Sequence, residues 1–147
     1  MSFSSLMNLS APVAYEFTAF VPEFARISGD TLDIPLDVGL SLSSKYARLP
    51  TREHDLVVGP TFVSERSVVI PIPTGHLVAE IPSAYVIENQ FGSLSLEVHE
   101  KAGAIHISRR FELIVHEVSE KDYPSFVDFI RQVDDALAEK IRLRRSK

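Results

Sequence analysis

The stretch SLSLEVHEKAGAIHISRRFELIVHEV, from Ser93 to Val118, predicts a long β-hairpin and decides the fold class. Apolar and polar residues alternate on both sides of Ala102-Gly103, as they do in strands that bury one face. A two-residue turn at Ala102-Gly103 pairs Val98 with Ile107. A four-residue loop over 100–103 would place the same residues on the core face. The alternation alone therefore does not decide between the two connections.

Arg109 interrupts the apolar face of the second strand of this hairpin, between Ile107 and Phe111. In the two-residue-turn register, Phe111 pairs with Leu94 and both face the core. A charged residue on that face indicates either a β-bulge or a side chain whose stem is buried at the margin of the core.

Shorter stretches of strand-like sequence precede the hairpin, and each is bounded by Pro or Gly. Pro71 and Pro73 lack amide donors, so the strand that contains them is predicted at a sheet edge or leaving the sheet. About seven short strands with frequent turns predict an antiparallel β-sandwich. The predicted strands cover residues 13–21, 31–34, 55–59, 66–72, 77–82, 85–89, 93–99 and 105–118.

An amphipathic helix is predicted at the C-terminus, over about residues 123–142. Pro124 suits the first turn, and either Ser119 or Asp122 can cap it. Its apolar stripe needs a partner, which we expect to be the open face of the sheet. The basic residues near its end complement the helix dipole. The stripe contains Phe126, Phe129, Ile130, Val133, Leu137 and Ile141, and the basic residues are Lys140, Arg142, Arg144 and Arg145.

The length of 147 residues and the apolar fraction of 45% indicate one globular domain. Residues 1–12 are small and polar and are predicted to be a linker or terminal edge. Residues 13–147 are predicted to form one mainly-β sandwich domain with the helix packed on it. The segment 40–54 has no periodicity and is predicted to be a long loop, either functional or a simple crossover between sheets.

The composition argues against several classes of function. The absence of cysteine excludes disulfides, thiolate nucleophiles and thiolate metal sites. The formal net charge of −5 disfavours a general role with nucleic acid. No apolar run reaches the ~18–20 residues of a membrane span. The first basic residue is Arg26, so the N-terminus does not resemble a signal peptide.

His99 and His106 form a candidate metal site. With a two-residue turn they lie opposite each other on the outer face of the hairpin, and Glu97 shares that face. Two imidazoles and a carboxylate are suitable ligands for a divalent metal. Two solvated histidines are the simpler interpretation, so we predict no metal site and no cofactor. The remaining histidines, His54, His76 and His116, show no ligand spacing.

Catalytic motifs find little support in the sequence. The stretch from Gln90 to Leu94 lacks the second glycine of a nucleophile elbow, and the six glycines form no phosphate-binding loop. Carboxylates are plentiful, but no acid–base pair stands out. We therefore predict no catalytic residues and no enzymatic activity. The strand carboxylates, which we expect to point outward, are Glu80, Glu88, Glu97 and Glu112.

Two other groups of residues suggest binding surfaces. The basic stretch from Lys140 to Lys147 would attract an anionic partner, but the simpler interpretation is a helix end. The four tyrosines would suit a carbohydrate-binding face, although core or rim positions are the simpler interpretation. The tyrosines are Tyr15, Tyr46, Tyr85 and Tyr123.

Six short motifs lie in a characteristic order between Arg52 and Leu143. Each motif is weak alone, and the specificity comes from their order and spacing. They are Arg52-Glu53-His54-Asp55-Leu56, Ile72-Pro73-Thr74-Gly75-His76, Val78-Ala79-Glu80-Ile81-Pro82, Asn89-Gln90-Phe91-Gly92, Arg109-Arg110, and Asp122-Tyr123-Pro124-Ser125-Phe126-Val127-Asp128-Phe129.

In this order of motifs the chain resembles the C-terminal β-sandwich domain, of unknown function, of bacterial transglutaminase-like multidomain proteins. The resemblance extends more loosely to residues 13–34. It implies that Cys-His-Asp chemistry belongs to a preceding domain, and this cysteine-free chain carries none of those residues. It also implies a larger bacterial protein that is exported or located at the cell envelope, in the periplasm.

The leading functional hypothesis is a non-catalytic accessory or interaction module. Its partner would be a neighbouring domain of the same polypeptide or another protein, and its oligomeric state is left open. An alternative is a stand-alone carbohydrate- or peptide-binding sandwich that uses the 40–54 segment and exposed tyrosines. A weaker third hypothesis is a small hydrolase with a pair of acidic residues.

Overall fold

The computed structural model describes residues 2–4, 14–36 and 41–146, and only the backbone of residues 2–4, 14 and 15. Two four-stranded antiparallel sheets and a C-terminal helix surround one hydrophobic core, which confirms the predicted mainly-β fold. The elements are β1 (Ser2–Ser4), β2 (Ala14–Glu16), β3 (Arg26–Ser28), β4 (Thr31–Pro35), α1 (Leu42–Tyr46), β5 (Leu56–Val57), β6 (Phe62–Pro71), β7 (His76–Glu80), β8 (Tyr85–Asn89), β9 (Gly92–Lys101), β10 (Ala104–Leu113), β11 (Glu117–Val118), α2 (Tyr123–Ala138) and β12 (Lys140–Arg145).

The first sheet has the strand order β6-β10-β9-β8, with the predicted hairpin at its centre. Ala102 and Gly103 both have positive φ, at 51° and 74°. A type I′ turn, the common two-residue hairpin turn, requires positive φ at both positions. Val98 lies opposite Ile107. The two-residue turn is therefore confirmed, and the four-residue loop is wrong.

Arg109 lies on the inner face of the first sheet without a bulge, because the pairing of β10 with both neighbours is continuous. The side chain is half-buried, and its Nη2 donates a hydrogen bond to Ser64 Oγ at 3.1 Å. Of the two interpretations, the bulge is wrong and the position at the margin of the core is confirmed.

Strand β6 lies at an edge of the first sheet, as its prolines predict. It begins at Phe62, earlier than expected, and pairs along its whole length with β10. Pro71 is its last residue and lies opposite Ala104.

The second sheet has the strand order β3-β4-β12-β7. The presence of β12 shows that the helix predicted over about residues 123–142 is too long at its C-terminal end. Helix α2 ends at Ala138, and residues 140–145 form a central strand instead of its last turn. Ile141 and Leu143 are both fully buried, with Arg142 exposed between them. That alternation has a period of two, so Lys140, Arg142 and Arg144 occupy outward positions of a strand.

Helix α2 packs its predicted apolar stripe into the core. Phe126, Ile130 and Val133 have no exposed surface. The Phe126 ring meets the Phe91 ring edge to face at a centroid distance of 5.3 Å, and Phe129 stacks on Phe111 of the first sheet at 6.4 Å. These contacts join the helix to the inner face of that sheet. Neither α2 nor α1 has the length and apolar character needed to cross a membrane.

Two segments differ from the sequence prediction. Ser2–Ser4, assigned to the linker, pairs with Ala14–Glu16 as a two-stranded sheet, and the strand predicted for 13–21 ends at Glu16. The 40–54 segment contains the short helix α1, because Leu42 and Tyr46 are four residues apart and both buried. Residues 37–40 lie outside the described part of the chain.

Candidate functional site

His99 and His106 lie directly opposite each other on the outer face of the first sheet. Their rings stack almost in parallel, with an interplanar angle of 7° and a centroid distance of 5.2 Å. Glu97 lies on the same face, opposite Ser108. The structure thus brings the two predicted imidazoles together, and no group of three or more His, Asp or Glu residues suited to a metal occurs among the described residues.

A row of ion pairs crosses the same outer face. Arg110 Nε lies 3.1 Å from Glu65 Oε1, and Arg110 Nη1 lies 2.7 Å from Glu112 Oε2. The hydrogen bond with Glu112, more than the contact with Glu65, raises the pKa of the Arg110 guanidinium above its usual value. Exposed pairs of this kind add little stability, so their main effect is to fix the side chains of the row.

A shallow depression of about 270 Å³ adjoins this row, where small serine side chains leave space between longer ones. The predicted outward direction of the strand carboxylates is confirmed, and two of them, Glu80 and Glu112, are bound to arginines. Glu80 belongs to the second sheet, so the four carboxylates do not form one cluster. The depression is lined by Glu65, Arg66, Ser67, Ser95, Glu97, Ser108, Arg109 and Arg110.

Alternating charges cross the outer face of the second sheet in one row. Arg26, Asp33, Arg142 and Glu80 occupy neighbouring positions on its four strands. Arg142 donates to Asp33 at 3.0 Å and to Glu80 at 3.1 Å. The hydrogen bond with Asp33 is the main reason why the pKa of Arg142 is raised. The basic stretch predicted as a helix end therefore forms part of a charged sheet surface.

The three tyrosines whose side chains are described, Tyr46, Tyr85 and Tyr123, do not form a common exposed face. Tyr46 and Tyr123 are buried in the core, which confirms the simpler interpretation for these two. Tyr85 is half-buried, and its hydroxyl donates a hydrogen bond to Glu139 Oε1 at 2.5 Å. The side chain of Tyr15 lies outside the described residues. Because they are buried, Tyr46 and Tyr123 cannot contribute to the carbohydrate-binding face considered for the four tyrosines.

The 40–54 segment is docked on helix α2. The Tyr123 hydroxyl donates to the carbonyl oxygen of Leu49 at 2.8 Å, and the Arg52 guanidinium lies 5.1 Å from the centre of the Tyr123 ring. Tyr46 meets Phe126 edge to face at 6.1 Å. These contacts hold the segment against the core.

A surface that the sequence did not predict lies in the apolar arm, which we define as residues 17–27. Phe20 is 93% exposed and Ile27 75%, while Phe17 and Val21 are 56% and 54% exposed. Phe24, within the arm, packs against the core and anchors it. The apolar residues are visible in the sequence, where their alternation predicts a strand over residues 13–21 and not an exposed surface.

Ile27 also borders a depression of about 240 Å³ at one end of the second sheet. Asp30 of the β3–β4 turn and Thr31 at the start of β4 line it, together with His76 of β7 and Arg145 of β12. The apolar arm therefore leads directly into a concave edge of the sandwich.

Comparison with solved structures shows the same fold in a larger protein. A structure of a candidate protease from Parabacteroides distasonis ATCC 8503 matches with a TM-score of 0.64 and 14% sequence identity. The match covers 78% of this chain and 23% of that protein's chain. This chain thus spans less than a quarter of the length of the protein it matches. A comparison with curated proteins finds no match.

Comparison with protein-family models matches residues 32–143 to a family described as a domain of unknown function with solved structure, DUF3858. The matched region runs from β4 to β12 and includes both four-stranded sheets except for β3. The apolar arm lies before it. Because the match covers well over half of the sequence, the chain belongs to the DUF3858 family of domains.

Proposed function

We propose that this chain is a non-catalytic accessory domain of a larger polypeptide and that the apolar arm packs against a neighbouring domain. The exposure of the arm is the observation that carries the proposal. Single exposed apolar residues are common on protein surfaces, but larger apolar patches mark interaction sites. Phe17, Phe20 and Val21 expose more than half of their surface within five residues.

Burial of the exposed arm against a protein partner would be energetically favourable. Burial of apolar surface contributes roughly 25 cal/mol per Å², or about 1.5–3 kcal/mol for one large side chain. The side chains of Phe20 and Ile27, which are largely exposed, can contribute most of this amount on docking. Phe24 is already packed on the core, so docking needs to order only a short stretch of the chain.

The comparisons support the proposal that this chain is one domain of a longer polypeptide. The matching solved structure belongs to a protein of which this chain spans 23%. The family match begins at residue 32, so the arm precedes the shared core of the family. The resemblance to the C-terminal domains of bacterial transglutaminase-like proteins supports a transglutaminase-like domain as the neighbour. Catalysis would then be a property of that neighbour.

The mass of the native polypeptide tests this proposal. An antibody against this domain, followed by peptide mapping of the detected band, gives the mass and the adjoining sequence. We expect a product much larger than 16.4 kDa with an adjoining transglutaminase-like domain that contains a cysteine. A native product near 16.4 kDa would contradict the proposal and favour the stand-alone binding domain.

A binding experiment tests the role of the arm. The neighbouring domain identified by peptide mapping is produced as a separate chain and titrated with this domain by calorimetry. We expect Phe20→Ser and Ile27→Ser each to weaken binding by about tenfold or more, as loss of a buried anchor does. The matched control is Val86→Ser, since Val86 is 77% exposed on the outer face of the first sheet. Equal losses from all three variants would contradict docking through the arm.

A further inference from the structure

The stacked pair His99 and His106 lies in the central hairpin of the first sheet. The residues pair directly across β9 and β10, three positions from the two-residue turn. The pairing continues without a break on both sides, and β10 is held from its other side by β6, where Val69 lies opposite His106. The spacing of the two Cα atoms is therefore fixed by the backbone of three strands.

We propose that His99 and His106 together bind a divalent first-row transition-metal ion, with Cu²⁺ bound more tightly than Zn²⁺. Imidazole nitrogen is a good ligand for both ions, and affinities at nitrogen sites generally rise to a maximum at Cu²⁺. The two ligands lie on facing strands, so their spacing follows from the hairpin register and not from a ligand motif along one strand.

The distance between the rings suits a shared ion. Metal–nitrogen bonds of about 2.0–2.1 Å place the centroids of two imidazoles on one tetrahedral ion about 5 Å apart. The observed centroid distance is 5.2 Å. The rings lie almost parallel, so binding requires them to turn until their nitrogens converge. The χ2 torsion of histidine is broad, and His99 is exposed, so this rotation is easy.

Water would supply the remaining ligands of an ion bound by His99 and His106. Glu97 and Lys101 flank His99 on the same face of β9, and no third ligand completes a cluster within the described residues. Closed structural zinc sites have four protein ligands, so a site with two is open and exchanges its ion readily. The site is independent of the apolar arm, and its occupancy does not depend on the docking of this domain.

Calorimetric titration of the tag-free chain with CuCl₂ and with ZnCl₂ tests this inference. We expect one site, tighter for Cu²⁺, and at least a tenfold loss of affinity in both His99→Ala and His106→Ala. The matched control is His54→Ala, because His54 is exposed on a loop outside the first sheet. Circular dichroism of each variant confirms that the fold is retained.

Nuclear magnetic resonance locates the ion, because Cu²⁺ broadens the amide signals of nearby residues. Broadening that is strongest for residues 97–101 and 104–108 and extends to the facing residues of β6 supports the site. Broadening centred elsewhere, or equal affinities for the native chain and both variants, would overturn it. Loss of affinity in only one of the two variants would also overturn it, since the proposal requires both imidazoles.

Discussion

Asp134 in helix α2 caps the start of helix α1, because its Oδ1 accepts a hydrogen bond from the Leu42 amide at 2.9 Å. Its Oδ2 accepts one from the Ser43 amide at 2.8 Å. Ser41, the local cap of α1, accepts only a long hydrogen bond of 3.4 Å from Ser44. The carboxylate therefore satisfies two backbone donors that a helix start leaves free. This contact joins the 40–54 segment to the C-terminal helix.

Removal of this cap is expected to destabilise the domain. Asp134→Ala should lower the free energy of unfolding by about 2 kcal/mol, because two partly buried charge-assisted hydrogen bonds are lost. Urea denaturation measures the difference. Asp135→Ala is the matched control, since Asp135 is exposed in the same turn and should change stability by less than about 0.5 kcal/mol. Equal effects of the two substitutions would show that the cap is not important.

Gly92 leaves no room for a side chain at the start of β9. A Cβ atom at this position would lie 2.0 Å from the carbonyl oxygen of Glu112 on β10. Gly92→Ala should therefore force the two strands apart and lower the free energy of unfolding by about 2–3 kcal/mol. Ser93→Ala, one residue along the same strand, is the control and should cost far less. Thermal unfolding that is unchanged in Gly92→Ala would contradict the close approach.

A substitution at Ala102 is expected to stabilise the domain. Its φ of 51° lies in the left-handed region, which costs a non-glycine residue of this kind about 1 kcal/mol. Asn is the preferred residue before Gly in this type of turn. Ala102→Asn should therefore raise the free energy of unfolding by about 1 kcal/mol, whereas Ala104→Asn, in the adjoining strand, should not. A decrease on denaturation of Ala102→Asn would mean that the turn has another geometry.

The hydrogen bond between Tyr85 and Glu139 predicts a pH dependence at alkaline pH. The carboxylate, as hydrogen-bond acceptor and as a nearby negative charge, raises the pKa of Tyr85 above its ordinary value. The contact therefore stabilises the fold at pH values below about 10 and ceases to do so as the pH rises through the raised pKa. Ultraviolet titration of tyrosine, compared with Tyr85→Phe, should show a group that ionises late.

Glu139→Gln provides the control for that titration. The neutral amide removes the negative charge beside the phenol, so Tyr85 should ionise at a lower pH than in the native chain. A titration curve that is identical in the two proteins would contradict the assignment of the shift to Glu139.

The central hairpin could be predicted from the sequence because local physics alone determines it. Alternating residues fix which side faces the core, and Ala102-Gly103 fixes the turn. The prolines of β6 identify an edge in the same way, since a missing amide donor is visible in the sequence. These features depend on neighbouring residues and not on distant ones.

The end of helix α2 could not be predicted from local pattern. Ile141 fits both a helical stripe that continues from Leu137 and an alternating strand with Leu143. The decision depends on β4 and β7, which pair with both sides of β12 and are distant in sequence. The short helix α1 depends in the same way on Asp134, which lies 92 residues from Leu42.

The candidate surfaces also differ in whether neighbouring residues alone predict them. The opposed histidines follow from the hairpin register and were predicted as a pair. The exposed apolar arm could not be predicted, because alternation predicts a strand but does not show whether another element covers either of its faces. Residues 17–21 have the alternating pattern of a strand, but the strand that precedes them, β2, ends at Glu16.

Side-chain footprinting of the native polypeptide tests the central claim most directly. Hydroxyl radicals oxidise exposed side chains, so Phe20 should react rapidly in the isolated domain, where it is 93% exposed. Leu49, which is 51% exposed and lies outside the arm, serves as the internal control. We predict that Phe20 is strongly protected in the full-length native polypeptide while Leu49 reacts as before. Equal reactivity of Phe20 in both forms would contradict docking of this domain through its apolar arm.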